Sequence, residues 1–186
     1  MSIRFAGRII SPWQDARRDH QSGCPSGGSL SYREISIDEI PAGHPVRLFD
    51  AYWKSLPKTG NAPSRKDITP AGITASILRW MMVLEVVDIA GKTEFKYRLM
   101  GTGCVELCGM DYTGRLLGDR LTEAGTTARK SEFTRIMQDF TPIYTWSELP
   151  VPDRTFINVY RGVFPVTTSD GKVDQMFLVI ARDDMR

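Results

Sequence analysis

FKYRLMGTGCVELCGMDYTGRLLGDRL, residues 95–121, is the stretch on which the fold turns. An alternating apolar segment runs into Gly101-Thr102-Gly103, and the glycines open a short helix. Three readings compete: a nucleotide-binding turn, a thiol pair at Cys104 and Cys108, and a structural elbow. A dinucleotide fingerprint needs a small residue at the end of Gly-x-Gly-x-x-Gly, because its helix must pack close to its strand. Here that position is Glu106, and the preceding strand reads as half of a hairpin. A P-loop fails for want of Gly-Lys-Ser/Thr. Cys104 and Cys108 share a helix face with Val105 and Leu107 nearby, and buried free cysteines behave as small hydrophobes. No Lys, Arg or His is spaced to lower their pKa. The elbow remains: Gly101 and Gly103 let the chain leave a strand sharply, and Gly109 caps the short helix.

Working outward, Trp80–Asp88 (WMMVLEVVD) is almost continuously apolar, Ala90-Gly91 makes a turn, and Thr93–Met100 alternates. Phe95, Tyr97 and Leu99 fall on one face, Lys96 and Arg98 on the other, so 80–100 reads as a β-hairpin. Upstream, Val46, Phe49, Tyr52, Trp53 and Leu56 recur at helical spacing. They predict an amphipathic helix over 45–56, stopped by Pro57 and Gly60. A shorter helical segment follows near Asp67–Leu78. Downstream, 122–140 predicts the longest helix, with Thr122 as N-cap and Phe133, Ile136, Met137 and Phe140 as its stripe. Glu132 falls on its polar face. Strands are expected over 143–149, 155–167 and 173–182, the last two joined at Ser169-Asp170-Gly171. MFLVIA and WMMVLEVV are apolar on both faces, which places them mid-sheet with both sheet faces covered.

The first thirty residues end in HQSGCPSGGS and carry no periodicity. They read as a flexible tail with a short ordered piece at Ile9–Trp13 and an exposed Cys24. Residues 31–186 then form one domain. The balance of 24 Lys+Arg against 22 Asp+Glu, a net charge of +2, gives no case for nucleic acid. No apolar run is long enough for a membrane span, and the N-terminus lacks the apolar centre of a signal peptide. With 3 cysteines in no scaffold spacing, the chain is expected in the cytoplasm. Only His20 and His44 are present, so neither a zinc site nor a catalytic His-based constellation assembles. The expectation is a protein that is not an enzyme and holds no cofactor or metal. A small cone-fold α+β enzyme, or a thiol redox sensor using Cys104 and Cys108, are the alternatives.

A hairpin, an elbow into short helices, a longer helix and three antiparallel strands follow the order of a PAS domain. Arg98-Leu99-Met100-Gly101-Thr102, Glu106-Leu107-Cys108-Gly109 and Asp111-Tyr112-Thr113-Gly114 resemble the strand-to-helix passage of that fold. Tyr52-Trp53, Pro63-Ser64-Arg65 with Asp67-Ile68 and Pro70, and Phe164-Pro165-Val166 through Asp170-Gly171 resemble a family of short, mostly alpha-proteobacterial PAS-like proteins. The match spans about 45–182.

The resemblance implies an α+β fold: a five-stranded antiparallel sheet with helices on one face, the leading helix covering the other. It implies a bacterial sensory or protein-interaction module acting through itself or a signalling partner; the residues outside 31–186 are expected to be too few for an attached output domain. Between sheet and helices, a small apolar ligand would meet Tyr97, Leu99, Cys104, Leu107, Cys108, Phe133, Met137, Asn158, Tyr160, Met176 and Leu178. Carboxylate-sensing relatives place a cation in the pocket, and Arg98 is the candidate anion contact. Its alternation points it away from the core, where an ion pair with Glu85, Asp88 or Asp67 is the favoured explanation. Phe49, Tyr52 and Trp53 are the docking candidates for a homodimer, if the leading helix does not cover its own sheet.

Overall fold

The computed structural model describes residues 32–119, 121, 123–149, 157–168 and 171–186. The expected tail over 1–30, Cys24 and the Thr122 cap lie outside the described residues, as do 150–156 and most of the Ser169-Asp170-Gly171 turn. In chain order the elements are β1 (Tyr32–Glu34), α1 (Pro45–Ser55), β2 (Lys58–Thr59), β3 (Ala62–Pro63), α2 (Ala75–Leu78), β4 (Met81–Ile89) and β5 (Lys92–Met100). There follow α3 (Thr102–Cys108), α4 (Glu123–Asp139), β6 (Ile143–Leu149), β7 (Ile157–Thr167) and β8 (Val173–Arg182).

The main sheet is antiparallel throughout, in the order β1-β6-β7-β8-β4-β5. The apolar segments β8 and β4 are adjacent and central, where both faces of a strand are buried. The sheet has six strands where five were expected. The extra one is β1, whose YRE is too short and too exposed to carry an alternation signal. It pairs with β6, Arg33 opposite Trp146.

The two faces are covered by different helices. On the outer face α1 lies across β7 and β8. His44 caps its first turn by accepting from the Val46 N–H, and Pro45 occupies the first helical position, where a missing N–H costs nothing. Phe49 stacks edge-on against Phe164 at 4.8 Å, and the Trp53 Nε1–H donates to the Pro165 carbonyl at 3.0 Å. The leading helix therefore packs on its own sheet. Phe49 and Trp53 are buried there, and Tyr52 is half-buried, with its hydroxyl accepting from the Thr69 N–H. These three do not form a free docking face.

The elbow of the opening stretch is a close approach of backbones. A Cβ on Gly101 would stand 2.5 Å from the Arg79 carbonyl oxygen and 2.6 Å from that of Leu78. Gly101 N–H donates to the Met81 carbonyl, closing β5 against the start of β4, and Gly109 ends α3 at φ +77°. No phosphate-binding geometry is needed to explain these glycines.

Candidate functional site

Pleating assigns β7 and β8 side chains to alternate faces. Gly162 and Phe164 lie under α1, as a Cβ built on Gly162 would stand 2.8 Å from Val46. Val159, Arg161 and Val163 therefore point the other way, with cross-strand partners Thr145, Ile180 and Leu178. Through β8 the inner face continues to Met176, Leu84 and, on β5, Tyr97 and Phe95. The helices α3 and α4 close this side, α3 against β8 and α4 against β7.

Of the residues expected to line a pocket, Cys104, Leu107, Phe133, Met176 and Leu178 are buried in the core. Cys108, Tyr97 and Met137 are half-buried against it. Three expectations are corrected. Leu99 is 48 % exposed on the outer face, because a β-bulge lies in this ladder. Val83 opposes Leu99 and Leu84 opposes Tyr97, so Arg98 is the extra residue that breaks the alternation. Tyr160 lies on the outer face, its ring edge-on to His44 at 5.2 Å. Asn158 shares the Tyr160 parity on β7 and falls outside the inner layer for the same reason. Arg98 is an exposed side chain paired with Glu85.

The cation on the inner face is Arg161. Its Nη2 donates to both oxygens of Glu132 at 2.6 and 2.7 Å, and its Nε–H to Thr145 Oγ1 at 3.3 Å. Arg161 and Glu132 side chains are 8 % and 5 % exposed. Arg129 adds a bond to Glu132 Oε2 at 2.7 Å and lies over the Tyr32 ring at 4.7 Å, while the Tyr32 hydroxyl donates to the same oxygen at 3.2 Å. Burial by itself would raise the Glu132 carboxyl. The charges of Arg161 and Arg129 outweigh it and hold the group below its ordinary range. Arg129 is lowered, first by burial and then by the like charge of Arg161.

Sequence reasoning placed Glu132 on a polar helix face and passed over Arg161. The signal was present. Arg161 shares parity with Val159 and Val163, and Glu132 lies four residues before the buried Ile136, on the same side of α4. A charge in a buried period reads as an exception until its partner, 29 residues away, is known.

The thiols are unsuited to nucleophilic work. Burial raises both, Cys108 to about 11 and Cys104 further, with the neighbouring Cys108 adding to the effect at Cys104. Among the described residues no group of three or more His, Cys, Asp or Glu is placed to hold a metal ion. No helix among them is long and apolar enough to cross a membrane.

An antiparallel sheet in this order, with α3 and α4 closing its inner face, defines an α+β domain of the PAS type. A family model described as PAS domain matches residues 42–180, and the chain belongs to the PAS domain family. No curated protein matches the chain. PAS domains are generally sensory and interaction modules without catalysis of their own.

Proposed function

We propose that this domain senses a small ligand held between the inner sheet face and α4, and passes on its state through protein contacts, without chemistry of its own. The observation that supports this is the mixed character of the inner layer. Apolar walls from Leu84, Phe133 and Met176 adjoin a buried guanidinium and the half-buried Tyr97, whose hydroxyl is pushed up chiefly by burial. Pure packing would favour an apolar layer, since burying charge costs free energy even when it is paired. The raised thiols argue against a redox sensor, and cysteine usage favours the cytoplasm. We assign homodimerisation to the molecule as well, supported by the exposed Leu78 and Leu99 beside the start of β4.

Mass spectrometry of the freshly purified chain, native against denatured, tests the reading. Extra native mass lost on denaturation is expected, and Tyr97→Ala or Met137→Trp should abolish it without changing the far-UV circular dichroism. Retention unchanged in both variants would sink the pocket. The same spectra report whether the native species is a dimer.

A further inference from the structure

We infer that β1 is a releasable strap, able to leave the sheet edge while the rest of the fold stays intact, and that its release is transmitted to α4 through Glu132. The coupling needs no bound ligand. Through it, whatever holds the residues before Tyr32 acts on the helix over the inner face.

β1 contributes nothing to the core. Its three residues are exposed, Tyr32 at 44 %, and among the described residues the first buried apolar side chain is Ile40. The strand is held by its ladder to β6, continued by the Ile35 N–H on the Tyr144 carbonyl, and by side-chain contacts at its rim. Arg33 lies over the Trp146 ring at 5.7 Å and pairs with Glu39. Exposed contacts of this kind are individually weak, and an edge strand without buried area belongs to the least stable part of a fold. The base of the strap is firm by contrast. Ser36 and Glu39 close a capping box on the turn Ile37–Glu39, Arg47 donates to the Ile37 and Ile40 carbonyls, and Ile40 is buried. Opening therefore stops at Ile35–Ser36.

On its inner side the strap meets α4. Tyr32 and Glu34 share one side of the strand and Arg33 takes the other. The Tyr32 hydroxyl donates to Glu132 Oε2 at 3.2 Å, its ring lies under the Arg129 guanidinium at 4.7 Å, and Glu34 pairs with Arg135. Arg129, Glu132 and Arg135 are spaced three apart, so they form one row along the helix. Strap and helix meet along this polar seam.

Glu132 belongs to the seam and to the sheet at once, because both its oxygens accept from Arg161 of β7. With β1 in place it takes bonds from Arg161, Arg129 and Tyr32, and its side chain is only 5 % exposed. Release removes the Tyr32 donor, opens Arg129 and Glu132 to water, and parts Arg135 from Glu34. Water raises the local dielectric and weakens the Arg161–Glu132 attraction. Among the described residues, Lys130–Glu94 is then the one unaltered ionic tether of α4, beside the packing of Phe133 and Ile136.

The test is amide hydrogen exchange of the full chain, resolved by segment. In the wild type the amides of β1 should exchange about a hundredfold faster than those of β7 and β8 in mid-sheet. Arg33→Cys with Trp146→Cys, directly opposite in the ladder, locks the strap by a disulfide on the side away from α4, in a Cys24→Ser background. The amides of α4 should exchange about tenfold more slowly in the oxidised than in the reduced protein, with those of α1 unchanged. Tyr32→Ala with Glu34→Ala needs no disulfide and should speed exchange in α4 by a similar factor, again without effect on α1. β1 amides as protected as mid-sheet ones would overturn the release. Equal α4 rates in the oxidised and reduced protein overturn the coupling, and α4 rates untouched by the alanine pair overturn it even where the disulfide fails to form. Acceleration of α1 together with α4 overturns it too, because the loss would then be global.

Discussion

The helices α1 and α4 cover opposite faces of one sheet, yet they hold on by different means. Along α1 the buried residues include Val46, Phe49 and Trp53, with Trp53 tied to the backbone of β7. Asp50 is the one buried charge there, and it accepts from the Tyr144 hydroxyl at 2.5 Å and pairs with Lys54. Along α4 the buried Phe133 and Ile136 and the half-buried Met137 are joined by ion pairs to three different strands. Apolar contact is non-directional and lost only by exposing area to water, so α1 is a fixed part of the core. An ionic attachment is directional, so α4 is tied to particular positions on three strands. One face of the sheet is held mainly by apolar packing, the other by packing and buried charge together.

The most direct way to break this comparison is Phe49→Ala. Phe49 is fully buried and meets Phe164, Phe177 and Tyr52. Truncation removes its transfer free energy and leaves a cavity, an expected loss of about 4 kcal/mol in urea unfolding. A loss below about 1 kcal/mol would show α1 to be loosely attached, and the contrast with α4 would disappear.

The inner face should respond differently to a paired change. Glu132→Leu strands two guanidinium groups without a counter-charge and should cost about 3 kcal/mol. Arg161→Met leaves Glu132 with Arg129 and Tyr32 and should cost somewhat less, about 2 kcal/mol. Together the two substitutions replace the Arg161–Glu132 pair with apolar volume but leave Arg129 without its carboxylate, so the loss should be about 2 kcal/mol, well short of the sum of the single losses. Losses that simply add in the double variant would mean the pair does not couple α4 to the sheet. Phe133 and Ile136 would then be what holds α4 in place, and its attachment would be apolar like that of α1.

How much of this could be read from the chain follows from range. The amphipathic stripe of α1, the doubly apolar β4 and β8 and the glycine elbow are local patterns, and each was legible. Leu99 was misplaced because a bulge is a relation between two strands, and nothing within β5 announces that Arg98 is its extra residue. Tyr160 and Asn158 were misplaced because alternation shows which residues share a face and leaves open which face is inner. That is settled by Gly162, whose missing side chain admits Val46 of α1. The Arg161–Glu132 pair joins β7 to α4, and neither residue alone distinguishes a solvated charge from a buried one.

A smaller effect sharpens the comparison at the outer face, where His44 caps the first turn of α1. His44 is buried, its Nδ1 accepting from the Val46 N–H at 3.2 Å, with the Arg182 carbonyl 3.0 Å from Nε2. Those contacts require a proton on Nε2 and none on Nδ1, the neutral ring. Burial lowers the His44 pKa below the ordinary value of 6.5; the carbonyls of Arg182 and Ala181 and the charge of Asp183 oppose that shift without cancelling it. The unfolded chain therefore binds a proton more readily than the folded one. Stability from this group is complete above the unfolded value of about 6.5 and falls as pH drops below it, until the folded pKa is passed. Protonation also turns Nδ1 from acceptor to donor, so the cap of α1 is lost in the same step. In His44→Asn the side-chain oxygen can still cap Val46, so the variant should be less stable at neutral pH by about 1 kcal/mol for the lost Nε2 contact. Its urea midpoint should nevertheless change less than that of the wild type between neutral and mildly acidic pH. Equal slopes in the two proteins would assign the acid sensitivity to other groups, and the packing of α1 would then be indifferent to pH over this range.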